Sequence, residues 1–369
     1  MRILISAESF FPRSNGVTNS VIRSARFLKN NEHEVLILAQ GDGPRFVDGH
    51  EVLRVPALSL HKYATVDFPV VSQKRLTSII EEFDPDVIHL ASPFFLGHQV
   101  RKVGNELSIP VVAVYQTDVS GFASFYRLNI LRSYGDIKIR KIHSKSDLNL
   151  VPSSASENYL SSLGVENIKR WTRGVDIDSF NPKWRSDELR KKWGNEIVIG
   201  YVGRLAPEKQ VEKLTSLSDI NAKLVVVGDG PSRTELERAL PNAIFTGHKS
   251  GEELSRVMAS FDILVTTGEH ETFCQVIQEG MESGLPVVAP NIGGPVDLIT
   301  NGVDGFLTTP GDPIDLKNKV NWLISNQSER SLMGLTAYNK VQGKTWDSVC
   351  AELLEHYKSV AFERVRFVS

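Results

Sequence analysis

Two loops of this sequence carry side chains suited to holding a polyanion and a polyhydroxylated ring. Gly203-Arg-Leu-Ala-Pro-Glu-Lys209 sets Arg204 and Lys209 on either side of a turn, and Pro207 suits the first turn of a following helix. Two fixed cations beside a helix N-terminus suit a diphosphate, Arg as a planar fork and Lys as a point charge. The plainer alternative is a solvated pair of surface charges. Thr267-Gly-Glu-His-Glu-Thr-Phe-Cys-Gln-Val-Ile-Gln-Glu279 carries the second set. The spacing predicts a helix over 273–283, with Glu271 at its start and Glu279 two turns inside, near the same face. A carboxylate beside Val276, Ile277 and Met281 needs a polar partner if buried, and a pair of sugar hydroxyls would supply one. The backbone N–H groups of Phe273, Cys274 and Gln275 would hold phosphate or sugar oxygens. Against that, Glu271 could simply answer the helix dipole while Glu279 stays half exposed.

Three further loops are weaker. Asn15-Gly16 permits a tight turn before a helix, and Gly16 lets a ligand approach free N–H groups there. Gly228-Asp-Gly-Pro231 permits a sharp exit from a strand. His248 and Lys249 follow the next strand, where a lone His is more often solvated or structural. Other chemistries are disfavoured. No His follows His270 by four residues, as a zincin would need. Neither Gly-x-Gly-x-x-Gly nor Gly-x-x-x-x-Gly-Lys-Ser/Thr occurs, which argues against a nicotinamide enzyme or a P-loop ATPase.

The elements that must position these loops alternate. Apolar runs at Arg2–Ala7, 35–39, 87–90, 111–115 and Leu148–Val151 are separated by segments of helical spacing, such as 17–30 and 74–83. The pattern restarts at 197–202, 224–228, 243–246, 263–266 and 286–289, with helices expected over 208–217, 233–240, 252–260 and 273–283. Short Val/Ile/Leu runs without alternation suit parallel strands covered on both faces. The expected fold class is α/β, with two Rossmann-like doubly wound domains and a cleft between them. Turn residues from Arg173 to Pro182 mark the boundary, giving domains 1–175 and 176–350. In such sheets ligands sit beyond the carboxyl ends of the strands.

The 369 residues suit two domains. Apolar content of 41% and charged content of 23% are those of an ordinary globular chain. A net charge of −2 argues against a general nucleic-acid binder, although the first half is mildly basic. Cys274 and Cys350 are the only cysteines, so neither a disulfide framework nor a Cys-based zinc site is expected. The longest stretches without Asp, Glu, Lys or Arg, 87–100 and 283–296, fall short of a membrane span. With no leader-like start visible either, a cytoplasmic location is expected. Lys138, Lys141 and Lys145 would share one helical face, interleaved with Ile137, Ile139 and Ile142. That face is either solvated or in peripheral contact with an anionic membrane at its inner surface.

Taken together, Gly203-Arg204 with Glu208-Lys209, Gly228-Asp-Gly-Pro231, Glu271-x7-Glu279, Gly284-Leu-Pro-Val-Val-Ala289 and Gly293-Gly294 resemble family 4 glycosyltransferases, retaining enzymes of the GT-B fold. The resemblance covers about residues 2–360. It implies a nucleotide-diphospho-sugar donor, held mainly by the second domain, with no metal and no separate cofactor. Arg204 and Lys209 would hold the diphosphate, Glu271 the sugar and Glu279 the ribose, within a donor shell that also takes in Gly203, Gly228, His248, Lys249, Phe273, Cys274 and Gln275. Asn15 and Gly16 would approach the phosphate from the first domain, and the last helix, 351–369, would cross back onto that domain. Many relatives carry a His after the fourth strand of the first domain, where this chain has Gln116. Gln116 would donate a hydrogen bond and Asp118 would orient an acceptor hydroxyl. The variant resembles bacterial mannosyltransferases acting on glycolipids. GDP-mannose and a lipid-linked or glycan acceptor are therefore expected. The rivals are a UDP-sugar glucosyl- or galactosyltransferase, a nucleotide-sugar epimerase and a catalytically silent nucleotide-binding scaffold.

Overall fold

A computed structural model describes residues 1–12, 15–59, 67–117, 129–194 and 196–368. The chain divides into two units, Met1–Arg173 with Trp346–Ser369, and Gly174–Thr345. The division falls at 173 rather than 175, because Val175 bridges Thr345 within the second unit. The whole helix from Trp346, rather than its part from 351, goes with the first unit.

The first unit is built on one sheet. Its strands are β1 (Arg2–Ala7), β2 (Glu34–Gln40), β3 (Phe46–Val47), β4 (His50–Val55), β7 (Val87–Ala91), β8 (Val111–Val114), β9 (Leu148–Val151) and β10 (Ile168–Arg170), in the order β10-β9-β8-β7-β1-β2-β4-β3. All neighbours run parallel except β3 with β4. A small antiparallel hairpin, β5 (Ala57–Ser59) with β6 (Asp67–Pro69), stands apart. β1, β7 and β8 are buried almost throughout, as continuous apolar runs require in a sheet covered on both faces. The helices α1 (Gly16–Asn30), α2 (Gln73–Phe83), α3 (Leu96–Glu106), α4 (Asn129–His143) and α5 (Ser154–Ser162) lie between strands. Asn15 caps α1 by accepting from Thr18 N at 3.0 Å, and Ser72 caps α2.

The second unit holds an all-parallel sheet of β11 (Val198–Val202), β12 (Lys223–Val227), β13 (Ile244–Gly247), β14 (Ile263–Val265), β15 (Val287–Pro290) and β16 (Gly305–Thr308), in the order β13-β12-β11-β14-β15-β16. The short helix α6 (Asp187–Trp193) leads into it. Its sheet helices are α7 (Arg233–Ala239), α8 (Gly251–Ala259), α9 (Gln275–Glu282), α10 (Pro295–Leu298), α11 (Pro313–Ser325) and α12 (Gln327–Val341). The helix expected over 208–217 is instead two 3₁₀ pieces, Pro207–Lys209 and Val211–Leu217. Gln210 separates them in the left-handed region at φ 50°.

The long C-terminal helix α13 (Trp346–Val368) packs on α1 in the first unit. Leu353 and Tyr357 are fully enclosed there, beside Trp171. The Tyr357 hydroxyl lies 2.6 Å from His89 Nδ1, and the Trp171 indole donates to Val349 O at 2.9 Å. Among the described residues no helix is long and apolar enough to cross a membrane.

Three histidines are buried in this unit, His50, His89 and His143, and the last two show large downward shifts. His89 is pushed down to about 3 by burial and by the charge of Arg173. His143, whose Nδ1 meets Asn149 Oδ1 at 2.8 Å, is pushed down to about 4 by burial. Folding lowers both values from about 6.5, so their contribution is complete above pH 6.5 and is lost as pH falls toward 4 and 3. Each contributes a slope of up to about 1.4 kcal/mol per pH unit. Urea unfolding followed at pH 7 and pH 5 should show the first unit weakening at the lower pH; equal stability at both would contradict neutral burial of these rings.

Candidate active site

In the second sheet the chain runs from β11 outward through β12 to β13, then returns to the other side of β11 at β14. The reversal opens a crevice beyond the carboxyl ends of β11 and β14, the place where ligands bind in such sheets. The two loops richest in charged residues leave from those two strands.

The β11 loop is fixed backbone to backbone. Gly203 N donates to Val227 O at 3.0 Å and Leu205 N to Asp229 O at 2.9 Å. Gly228 sits at φ 137°, where a Cβ would lie 1.9 Å from Gly203 O. Only glycine fits there, so Gly228 shapes the β11 exit rather than merely ending β12. Arg204 leaves this turn half exposed and donates to the carboxylate of Glu208, which is 4% exposed. One oxygen of Glu208 thus holds the guanidinium fork. The other, Oε2, is enclosed without a partner. The remaining donors of Arg204 face outward.

The β14 loop approaches from the other side. Lys209 Nζ donates to Glu271 Oε1 at 2.5 Å, and Thr267 Oγ1 donates to Lys209 O at 2.7 Å. Burial works against the lysine charge, but the adjacent Glu271 carboxylate outweighs it and lifts Lys209 above its ordinary range. Next to this pair, Lys213 binds Glu269, whose Oε1 also accepts from Gly311 N at 2.7 Å. A third loop clamps the backbone of 271–273. Gly294 N donates to Glu271 O at 2.7 Å, and a Cβ on Gly294 would lie 2.4 Å from Phe273 O.

This geometry corrects the expected helix. α9 starts at Gln275, with Cys274 before it in the left-handed region at φ 73°. Glu271 therefore lies in the loop and not on the helix, and the i, i+8 face argument does not apply to it. Glu279 is in the second turn of α9 and half-buried. The Gln275 side chain donates to Gly174 O at 2.9 Å. Phe273 and Cys274 are buried, and burial pushes the Cys274 thiol far above its usual range. His248 is exposed after β13, on the side of Asp229. Lys249 pairs with Glu253 at 3.2 Å, one turn along α8.

In the first unit, Asn15 and Gly16 open α1 as expected, and the Asn15 side chain also donates to Ser9 Oγ at 2.6 Å. Gln116 follows β8, but its Oε1 accepts from Arg173. That guanidinium lies 4.7 Å over the Trp171 ring, and burial pushes it down to about 10. Asp118 lies outside the described residues. The crevice of this first sheet, between β1 and β7, is filled by the protein itself. Glu8 accepts from the N–H groups of Phe94 at 2.5 Å, Phe95 at 2.9 Å and Gly97 at 2.9 Å. Burial raises the Glu8 carboxyl despite those bonds. Sequence reasoning did not assign Glu208, Lys213, Glu269, Glu8 or Arg173 to a site. Of these only Lys213 carried a local signal, its position one turn after Lys209.

Two family models match the chain, glycosyltransferase family 4 over residues 14–179 and glycosyl transferases group 1 over 183–340. A GDP-mannose-dependent alpha-mannosyltransferase of Mycobacterium tuberculosis is 43% identical, over 99% of this chain and 98% of its own length. Its namesake in Corynebacterium glutamicum is also 43% identical, over 98% and 89%. The sulfoquinovosyl transferase SQD2 of Arabidopsis thaliana is 32% identical, over 98% and 74%. Among solved structures, HepE of Anabaena in complex with UDP and glucose superposes with a TM-score of 0.79 at 21% identity, covering 97% of this chain and all of that one. The chain belongs to glycosyltransferase family 4, and its fold is GT-B.

The Gly228 contact can be tested directly. Gly228→Ala must push two strand exits apart and hold a strained φ, so it should cost about 3 kcal/mol or more. Urea denaturation of the variant measures this; a loss below about 1 kcal/mol would mean that the close approach is not needed.

Proposed function

We propose that this enzyme transfers mannose from GDP-mannose to a lipid-linked glycosyl acceptor, with retention of configuration. The observation that carries the reading is the cation pair Arg204 and Lys209, each held by a carboxylate at the crevice of the second sheet. The choice of donor is supported by the three GDP-mannose-dependent relatives, at 42–43% identity over nearly their full lengths in two cases and 89% in the other. The acceptor class is supported more distantly by relatives named for phosphatidylinositol dimannoside and diacylglycerol products.

Breaking the bond between sugar and diphosphate places negative charge on the leaving group. Arg204 and Lys209 are fixed before that charge develops, so little reorganisation opposes its stabilisation. One ammonium proton of Lys209 goes to Glu271, and two remain for phosphate oxygens. Arg204, steadied by Glu208, keeps most of its fork. Glu271 also takes a hydroxyl of the donor sugar, and Glu279 takes the ribose. In this reading Asn15 and Gly16, at the N-terminus of α1, contribute a phosphate contact from the first unit. Gln116, with its oxygen held by Arg173, keeps its amide N–H groups as hydrogen-bond donors and cannot serve as an acid or base near pH 7. Glycolipid acceptors would bring the enzyme to the cytoplasmic membrane surface by peripheral contact.

Two measurements test this. GDP should raise the melting temperature more than UDP at equal concentration, since only preferential binding to the folded state does so. Mannosyl transfer to membrane lipid should fall roughly 10²–10³-fold in kcat for Arg204→Ala and for Lys209→Ala. A larger shift with UDP would move the donor to a UDP-sugar, and undiminished transfer by both variants would remove the site from the reaction.

A further inference from the structure

The beginning of α3 carries a group of cations facing one another. Arg101, in the second turn of α3, is 6% exposed and its Nε is enclosed without a partner. Among the described residues it makes neither a hydrogen bond nor an ion pair. A guanidinium whose Nε is enclosed with nothing to answer it is costly to keep. Its surroundings add to that cost. His98, three residues earlier, has an enclosed Nδ1 that also lacks a partner. Its imidazole is pushed down to about 4, first by burial and then by the charges of Arg101, Lys138, Lys141 and Lys102. Lys138 reaches over from α4, its Nζ 4.7 Å from the Phe95 ring centre and 5.7 Å from that of Phe94.

The acids in reach are committed elsewhere. Glu8, at the start of α3, is held by three backbone N–H groups. Glu106 lies 3.8 Å from Lys102, which also donates to Gln73 at 2.9 Å, so Lys102 is the one member already answered. His98 and Arg101 on α3, with Lys138 of α4 over the rings that open α3 and Lys141 one turn further along α4, are left without an acid to answer them among the described residues.

We propose that Arg101, His98, Lys138 and Lys141 form a binding site for a phosphoryl group, in the first unit and distinct from the diphosphate position of the second. A carboxylate would be saturated by the arginine fork alone. A phosphoryl group turns several oxygens in different directions and carries up to two charges, so it answers the fork and the lysines together. The ring of His98, once protonated beside it, supplies a further N–H. The group could be a free phosphate ester or the headgroup of a phospholipid. Tyr134 and Ile137, exposed on α4 next to Lys138, favour the lipid, because they offer apolar contact beside the charge. The inference does not rest on the sugar-transfer reading.

The test uses the full chain in phosphate-free buffer, with two probes. One is inorganic phosphate, read by melting temperature and by the NMR signal of the His98 ring. The other is vesicles of equimolar phosphatidylcholine and phosphatidylglycerol, read by cosedimentation against pure phosphatidylcholine. Phosphate should raise the melting temperature and shift the His98 signal saturably. Arg101→Met should abolish both responses while melting no lower than the parent without phosphate, since it removes an unanswered charge. Lys138→Gln should weaken binding about tenfold, the loss of one charge-assisted contact. A response to phosphatidylglycerol vesicles alone, lost in both variants, would also support the site and assign it to a headgroup. Silence toward both probes, or equal responses from parent and variants, would overturn it. If Arg101→Met does not fold, Lys138→Gln decides by the same criteria.

Discussion

The Lys209–Glu271 pair ties together two loops that leave neighbouring strands in opposite senses. Strand order alone would open a crevice between β11 and β14, but it would not fix what lines it. The ion pair does that. Lys209 cannot swing away without leaving Glu271 uncompensated in a partly enclosed place, and Glu271 is itself pinned through its carbonyl to Gly294. The left-handed turn at Gln210 then releases the chain into the second 3₁₀ piece without dragging Lys209 out of position. Charge, backbone clamp and turn conformation thus act on one point.

The glycines serve the same end. β11 and β12 exit so close together that peptide groups touch, and this leaves no room for side chains between their loops. Arg204 leaves this turn half exposed. Glu208 then takes up part of its charge, which limits the directions the fork can take. A site assembled this way is ready before its ligand arrives, and the binding energy is not spent on ordering it.

Much of this was legible in the sequence. The runs expected as buried strands agree with the structure within about a residue or two, because continuous apolar stretches in a covered parallel sheet leave little ambiguity, whereas β3–β6, β10 and β16 carry no such run and were not legible. Arg204, Lys209 and Glu271 were legible because charges directly after buried strands must sit at the sheet's carboxyl edge. The start of α9 was not: a helical pattern cannot report that Cys274 turns left-handed and delays the helix. Nor did spacing separate Gln275, spent on Gly174, from its neighbours. Glu208 read as one more charge in a turn, because the four-residue spacing to Arg204 does not report that its carboxylate is buried. Arg173 and Gln116 lie 57 residues apart, and no local pattern joins them.

The two sheets share an architecture yet differ in what fills the crevice. In the first unit Glu8 occupies the N–H groups that open α3. A carboxylate attached to the adjacent strand competes as an intramolecular ligand, at an effective concentration on the order of millimolar or higher. A diffusing phosphate would have to displace it and leave a buried carboxylate without its hydrogen bonds. The first unit's switch point is thereby occupied by its own carboxylate, whereas the second unit presents Arg204 and Lys209 there. Two sheets of one architecture thus differ in what their switch points present, a tethered carboxylate in one and paired cations in the other.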